Sequence, residues 1–312
     1  MKAFLKKCGI YLLTVTVVCS LLASLLFFVI APQYSMGYNA AILDKMERLR
    51  SLDGPKIILV GDSNLAYGMD SAVLEERLDM PVVNLGLHGG LGSAFHERMA
   101  YGEIGEGDIV VVCHTGYTKG AAAVGDAELA WITIENHFDL WPVIPPADRL
   151  SMWKTLPGYA VKCTGLFLSG KGNQSTQDSY RRSAFNEYGD VAFDRPDGTY
   201  EMTGAQHTGV FGVDETGIAG INRLNALCGK AGAKLCVAAY PVMDDGQAPE
   251  PERFAAAVER LREGIDCPFI SDFADYYYPP DLFYNTAYHM TSHGAHLRAE
   301  QLARDLRLAF LS

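Results

Sequence analysis

The sequence predicts an α/β fold: a parallel five-stranded sheet sandwiched by helices in three layers, with an N-terminal transmembrane helix and a long insertion after the third strand. Three observations carry this. Apolar, β-branched runs alternate with segments of helical periodicity, the pattern of a parallel sheet covered on both faces. An uncharged run near the N-terminus is long enough to cross a bilayer. The alternation stops at Thr115 and resumes near Asp214.

The uncharged run is Cys8 to Ala31, 24 residues. Lys2, Lys6 and Lys7 precede it, and no Lys or Arg follows until Lys45. The positive-inside rule places the N-terminus in the cytoplasm and the bulk of the chain outside. A cleaved signal peptide is the alternative, but its apolar core is usually shorter and Val29-Ile30-Ala31 is a weak cleavage site. Cys19 follows bulky Val18, a poor lipoprotein site. The expected organisation is a cytoplasmic tip and anchor over 1–31, a connector or stalk over 32–53, and one domain over 54–312 with its insertion at 115–213. Ala41, Leu43, Met46 and Leu49 suggest a stalk helix over Tyr38 to Leu52.

Lys56 to Val60 reads as the first strand, because Ile57-Ile58-Leu59-Val60 is continuous rather than alternating. Ser71 to Leu78 is the first helix after it, with Ser71 as N-cap. Pro81 to Asn84 is a short second strand, Gly92 to Tyr101 a helix, and Asp108 to Cys113 the third strand. Beyond the insertion, Glu215 to Ala231 is a helix ended by Gly232, a residue suited to a left-handed C-cap. Lys234 to Tyr240 is the fourth strand, Pro251 to Gly264 a helix, Phe269-Ile270 a short fifth strand, and Gly294 to Leu311 the closing helix. The insertion holds all three tryptophans, Trp131, Trp141 and Trp153, with Pro142, Pro145 and Pro146. A structureless loop of that length does not suit a compact domain, so it reads as a subdomain or lid over the strand ends, or as a packing module with its own small core. Asn173-Gln174-Ser175 fits a glycosylation acceptor pattern.

The chain has 312 residues and a formal charge of -11. That charge argues against nucleic acid and against tight binding to an anionic membrane surface. Seven cysteines include Cys8 and Cys19 in the apolar run and Cys113, Cys163, Cys228, Cys236 and Cys267 outside it. An odd set without a CxxC pair suggests neither a disulfide framework nor a zinc site. Cys113 and Cys236 fall in core strands, where a thiol behaves as a small apolar residue. No metal or cofactor is expected.

The chemistry concentrates at Gly61-Asp62-Ser63-Asn64. Ser63 falls at the carboxyl end of a strand, where open α/β sheets place ligands, and a Ser there becomes a nucleophile when a base takes its proton. Near the C-terminus, His289 lies in a loop five residues before Gly294 and ahead of a helix. His88 and His114 follow the second and third strands and are placed to line the same mouth.

These blocks, with Asn84-Leu85-Gly86 after the second strand, resemble the SGNH (GDSL-like) hydrolase superfamily over roughly residues 54–114 and 215–311. The resemblance is closest to membrane-anchored members associated with polysaccharide O-acylation. It implies an SGNH/flavodoxin-like three-layer fold, Ser63 as nucleophile and His289 as base. It implies Asp62 and Asn84 as parts of the same blocks and the backbone N–H groups of Ser63 and Gly86 as oxyanion donors. Two positions depart from the family. The third oxyanion donor is normally an Asn after the third strand, where this chain reads Cys113-His114-Thr115-Gly116-Tyr117. Either His114 or Thr115 substitutes, or the chemistry differs. The triad acid normally lies three or four residues before the His, where this chain has Thr286 and Asn285. Asn285 is expected to hold the imidazole, with Asp281, Asp275 or a backbone carbonyl as alternatives. Phe185 to Asp190 looks like a segment of related anchored proteins, without an assigned chemistry.

Three functions follow as expectations. The first is a membrane-anchored extracytoplasmic serine esterase acting on O-acyl groups of a glycan or lipid. The second is an O-acyltransferase for a cell-surface polysaccharide, with a membrane-bound acyl donor protein as partner. The third is a catalytically degenerate glycan-binding or scaffold protein.

Overall fold

The computed structural model describes residues 1–118, 125–170, 172, 178–198, 207–209 and 215–311. Asn173-Gln174-Ser175 and parts of the insertion lie outside the described residues.

The chain opens with α1 (Lys2–Leu25), continued by a π-helical turn over Leu26–Ile30. Together they form one helix long and apolar enough to cross a membrane. Next come a 3-10 turn over Tyr38–Ala41 and α2 (Ile42–Ser51). Then follow β1 (Ile57–Gly61), α3 (Ser63–Tyr67), α4 (Ser71–Leu78), β2 (Val82–Asn84), α5 (Ser93–Ala100) and β3 (Ile109–Cys113). The inserted region contributes α6 (Ala127–Ile134) and α7 (Arg149–Ser169). The chain then runs through α8 (Glu215–Ala231), β4 (Lys234–Val237), β5 (Val242–Met243), α9 (Pro251–Gly264) and β6 (Tyr277–Tyr278). It closes with β7 (Phe283–Thr286), β8 (His289–Met290) and α10 (Ser292–Leu306).

The central sheet is parallel and four-stranded, in the order β2-β1-β3-β4. Every residue of β1, β2 and β3 is buried, which is why these strands read as unbroken apolar runs. The chain steps from β1 to β2 in one direction and from β2 to β3 in the other. Right-handed crossovers therefore put α4 and α5 on opposite faces. The packing agrees: α5 lies against α8, and α4 against α10. The reversal of strand order between β1 and β3 opens a crevice at their carboxyl ends.

The expected fifth strand does not form. Phe269 meets Val237 only as an isolated parallel bridge, flanked by the hydrogen bonds Val237 N to Pro268 O and Ile270 N to Val237 O, both 2.9 Å. Pro268 has no amide to extend the ladder. The fourth strand also stops at Val237, short of Tyr240. Ser71 is not the N-cap of α4; Asp70 is, and the Ser71 hydroxyl donates to Asp190 instead.

The segment expected as a stalk is part of the domain. Ile42, Met46 and Leu49 of α2 are buried, and Arg48 Nε donates to the Val82 carbonyl at 2.8 Å. The inserted region builds its own aromatic core. Trp131 is fully buried, stacks on Tyr159, and packs against Trp141 and Trp153. All seven cysteines are free thiols, and Cys113 and Cys236 are buried.

Candidate active site

Gly61 closes β1 where the backbone of β3 is nearest. A Cβ there would sit 2.0 Å from the Cys113 carbonyl oxygen, so only glycine fits. Asp62 then caps α3 by accepting from the Asn64 amide at 2.9 Å. Its second oxygen accepts from the Thr115 amide and hydroxyl, at 3.0 and 2.6 Å. Asn64 Nδ2 reaches Asp62 at 2.6 Å and the Cys113 carbonyl at 3.1 Å. The β1 and β3 exits are thereby tied together beneath Ser63. Burial pushes the Asp62 carboxyl up, but His114 and the hydrogen bonds from Thr115 and Asn64 outweigh it and hold the group well below the usual carboxylate range.

Arg298, buried in α10, fixes the same turn from the other side. Its Nη1 donates to the carbonyls of Asn64 and Gly68 at 2.8 and 3.0 Å. Its Nη2 lies 2.8 Å from Asn64 Oδ1 and 2.9 Å from Cys113 Sγ.

The antiparallel pair β7–β8 carries the other half of the site, with Thr286 opposite His289. His289 Nε2 lies 2.9 Å from Ser63 Oγ, and His289 Nδ1 lies 2.7 Å from Asn285 Oδ1. Asn285 Nδ2 is 3.2 Å from the Tyr180 hydroxyl, which turns Oδ1 toward the imidazole. Nδ1 therefore carries the proton, and Nε2 offers its lone pair to the Ser63 hydroxyl. Tyr67 stacks on the imidazole, with centroids 4.1 Å apart and planes at 10°. Burial lowers the His289 pKa to about 3, below its ordinary 6.5, and Arg195 and His88 push the same way against the pull of Asp62. Asp275 and Asp281 are exposed; the ring is held by Asn285.

Ser63 and His289 open onto a cleft of about 300 Å³ whose walls include Tyr38, Tyr67, Tyr180 and Tyr288. Asp62, Thr115, His88, Gly89 and Gly90 complete the lining. The Tyr38 hydroxyl is buried and has no hydrogen-bond partner among the described residues, and its ring stacks on Tyr67. A second cavity, about 290 Å³, shares Tyr38, His88 and Tyr180 with the first and reaches Tyr34, Leu129 and Lys162.

Three residues expected at the oxyanion site stand elsewhere. The Gly86 amide donates to Asn84 Oδ1 at 2.8 Å, and neither residue lines the cleft. Asn84 is wholly buried, and its Nδ2 donates to Leu65 O and Asp190 Oδ1. Gly86 is instead required sterically, since a Cβ would come within 2.7 Å of the Ala66 amide. His114 sits behind Asp62, its Nε2 3.2 Å from His96 Nδ1 and its Nδ1 accepting from the Gly116 amide. Phe185 to Asp190 acts as a buckle: Asp190 accepts from Ser71 and Asn84, while the Asn84 amide donates to Tyr188 O. Buried Lys45 donates to the carbonyls of Asn84 and Gly189.

Tyr38 and Arg298 escaped the sequence reading. Tyr38 sits in what looks like a stalk, and Arg298 is one of many charged residues on a C-terminal helix. In comparisons with known proteins, no family model matches this chain and no curated protein is significantly similar to it.

Proposed function

We propose that the protein is a membrane-anchored serine esterase of the SGNH (GDSL-like) type, removing O-acyl groups from a glycan or lipid outside the cytoplasm. The observation that carries the reading is the relay from Ser63 Oγ to His289 Nε2 at 2.9 Å and from His289 Nδ1 to Asn285 Oδ1 at 2.7 Å. A nucleophile, a base in the correct tautomer and an orienting group are what acyl transfer through serine needs.

In this mechanism Ser63 Oγ attacks the acyl carbonyl carbon as its proton passes to His289 Nε2. The tetrahedral oxyanion forms beside the Ser63 amide, which as the first amide of α3 has no intrahelical acceptor. Tyr38 is the candidate second donor, because it lines the same cleft and its hydroxyl is buried without a hydrogen-bond partner among the described residues. Collapse expels the sugar or lipid alkoxide, which takes the proton from His289. Water, deprotonated by the same imidazole, then releases the carboxylic acid. The tyrosine-lined walls suit the apolar faces of a sugar ring.

Transfer to a second hydroxyl is the other reading, and the adjoining cavity favours it. An acceptor held there would take the acyl group in place of water, with a membrane-bound acyl donor protein as partner. Labelling by a fluorophosphonate tests the shared chemistry. Wild type is expected to be labelled and Ser63→Ala unlabelled; equal labelling of both, or of neither, refutes it. With an acyl ester as donor, the ratio of free acid to acylated oligosaccharide then separates hydrolysis from transfer.

A further inference from the structure

The inner face of α7 is accounted for. Met152, Tyr159 and Cys163 are buried, and Trp131 Nε1 donates to the Met152 carbonyl at 2.7 Å. The outer face is not. Leu150, Trp153, Val161 and Leu168 are 65, 50, 74 and 78% exposed and recur at helical spacing along one side, joined by exposed Pro157. A helix apolar on both faces belongs against a second apolar phase.

Its place in the fold says which phase. The uncharged N-terminal run of 24 residues spans roughly 36 Å as a helix, against roughly 30 Å of bilayer hydrocarbon. Its last residues therefore emerge at the headgroups, and there they enter the domain directly. Phe27 is buried against Trp131 and Phe138, with centroids 5.6 and 5.1 Å apart. Ala31 is fully buried, and the Gln33 and Tyr34 amides both donate to Glu135 Oε1. No free tether separates anchor from domain, and α7 packs on this same foot. The charge of α7 agrees. It contains Arg149, Lys154 and Lys162 and no acidic residue, and although Lys162 is paired with Glu128, the helix stays basic on a chain that as a whole carries -11.

We propose that α7 is an interfacial helix, its outer face lying in the headgroup region of an anionic bilayer, so that the domain is held flat on the lipid surface beside its own anchor. Exposed Lys154, a tryptophan and apolar side chains on the outer side of one helix are the composition such helices use. The inference rests on the N-terminal helix crossing the bilayer and is independent of the chemistry at Ser63.

The anchor contains no tryptophan, so tryptophan fluorescence reports the domain alone. Full-length protein in vesicles of phosphatidylcholine and phosphatidylglycerol, brominated at the shallow 6,7 positions, is expected to show quenching that rises with the phosphatidylglycerol fraction. Trp153→Phe is expected to lose more than half of it. Val161→Asp with Leu168→Asp, both at exposed positions, is expected to lose at least half while leaving the melting temperature unchanged. Protein that floats with the vesicles but is not quenched would overturn the proposal. So would a double-aspartate variant quenched like wild type. Failure to float would overturn the anchor and, with it, the proposal; Ser63 labelling is unaffected by either result.

Discussion

In the proposed chemistry His289 acts as a base only while neutral, and its surroundings keep it so. Burial holds its pKa at about 3, so the acid limb of Ser63-dependent turnover is expected near pH 3 rather than near 6.5. Activity measured from pH 7 down to 5 should stay nearly flat; a titration centred at 6 to 7 would show that the imidazole is not so held. In that chemistry the same burial has a cost, because Asn285 on Nδ1 supplies no charge to the imidazolium that the proposed transition state requires. Asn285→Asp places a carboxylate 2.7 Å from Nδ1, favours the charged ring and moves the acid limb upward. Turnover should rise by about ten-fold or more, given that losing the acid of a Ser-His-Asp triad costs on the order of ten-thousand-fold. Tyr38→Phe removes one hydroxyl and no packing. If that hydroxyl faces the oxyanion, kcat falls roughly a hundred-fold with KM little changed; an unaltered kcat removes Tyr38 from the mechanism. Ser63, His289 and Asn285 were legible because their spacing to the glycines survives in one dimension. Tyr38 was not, since a buried hydroxyl without a partner among the described residues is a three-dimensional fact. Gly86 misled for a related reason: a glycine required by close packing reads the same as one required by a substrate.

At the scale of elements, the strands that show in the sequence are those buried on both faces. The hairpin that delivers His289 was invisible: Phe283 to Thr286 is two aromatic residues followed by two polar ones, without the alternation of a strand, and its partner has only two residues. Such short strands exist through tertiary support rather than propensity. That support is α10, whose N-cap Thr291 follows His289 by two residues and whose Arg298 reaches the β1 turn. Arg298 thus couples the end of the chain that carries His289 to the turn that carries Ser63. Arg298→Met leaves the Asn64 and Gly68 carbonyls without this donor, and the expected loss is about 2–4 kcal/mol of stability, read as a lower urea midpoint at constant slope. Arg298→Lys keeps the charge but not the two-armed geometry, so it should recover less than half of that loss. Full recovery by lysine would mean that charge alone matters.

The whole molecule is built around a continuity that the sequence divides into parts. Anchor, stalk and domain read as three segments because hydropathy changes abruptly at Pro32. In three dimensions the boundary is inside the fold: Phe27 and Ala31 are buried, and the Ala31 amide closes a π-helical turn on Leu26 O at 2.6 Å. This bears on whether the apolar run is a cleaved signal or a retained anchor. A peptidase acting at Ala31 would need that turn extended and exposed. The product would lose the Phe27 ring from its place between Trp131 and Phe138, a truncation that typically costs about 3 kcal/mol or more in a packed core. Folding and cleavage are therefore opposed, and retention is the expected outcome. The chain recovered from membranes should have its original N-terminus and resist alkaline carbonate extraction. Protease added outside spheroplasts should digest the domain while sparing a short anchored fragment. A soluble species beginning near Pro32 would contradict this. Phe27→Ala offers a finer check: with the foot loosened, the anchor should persist but cleavage near Ala31 should become measurable.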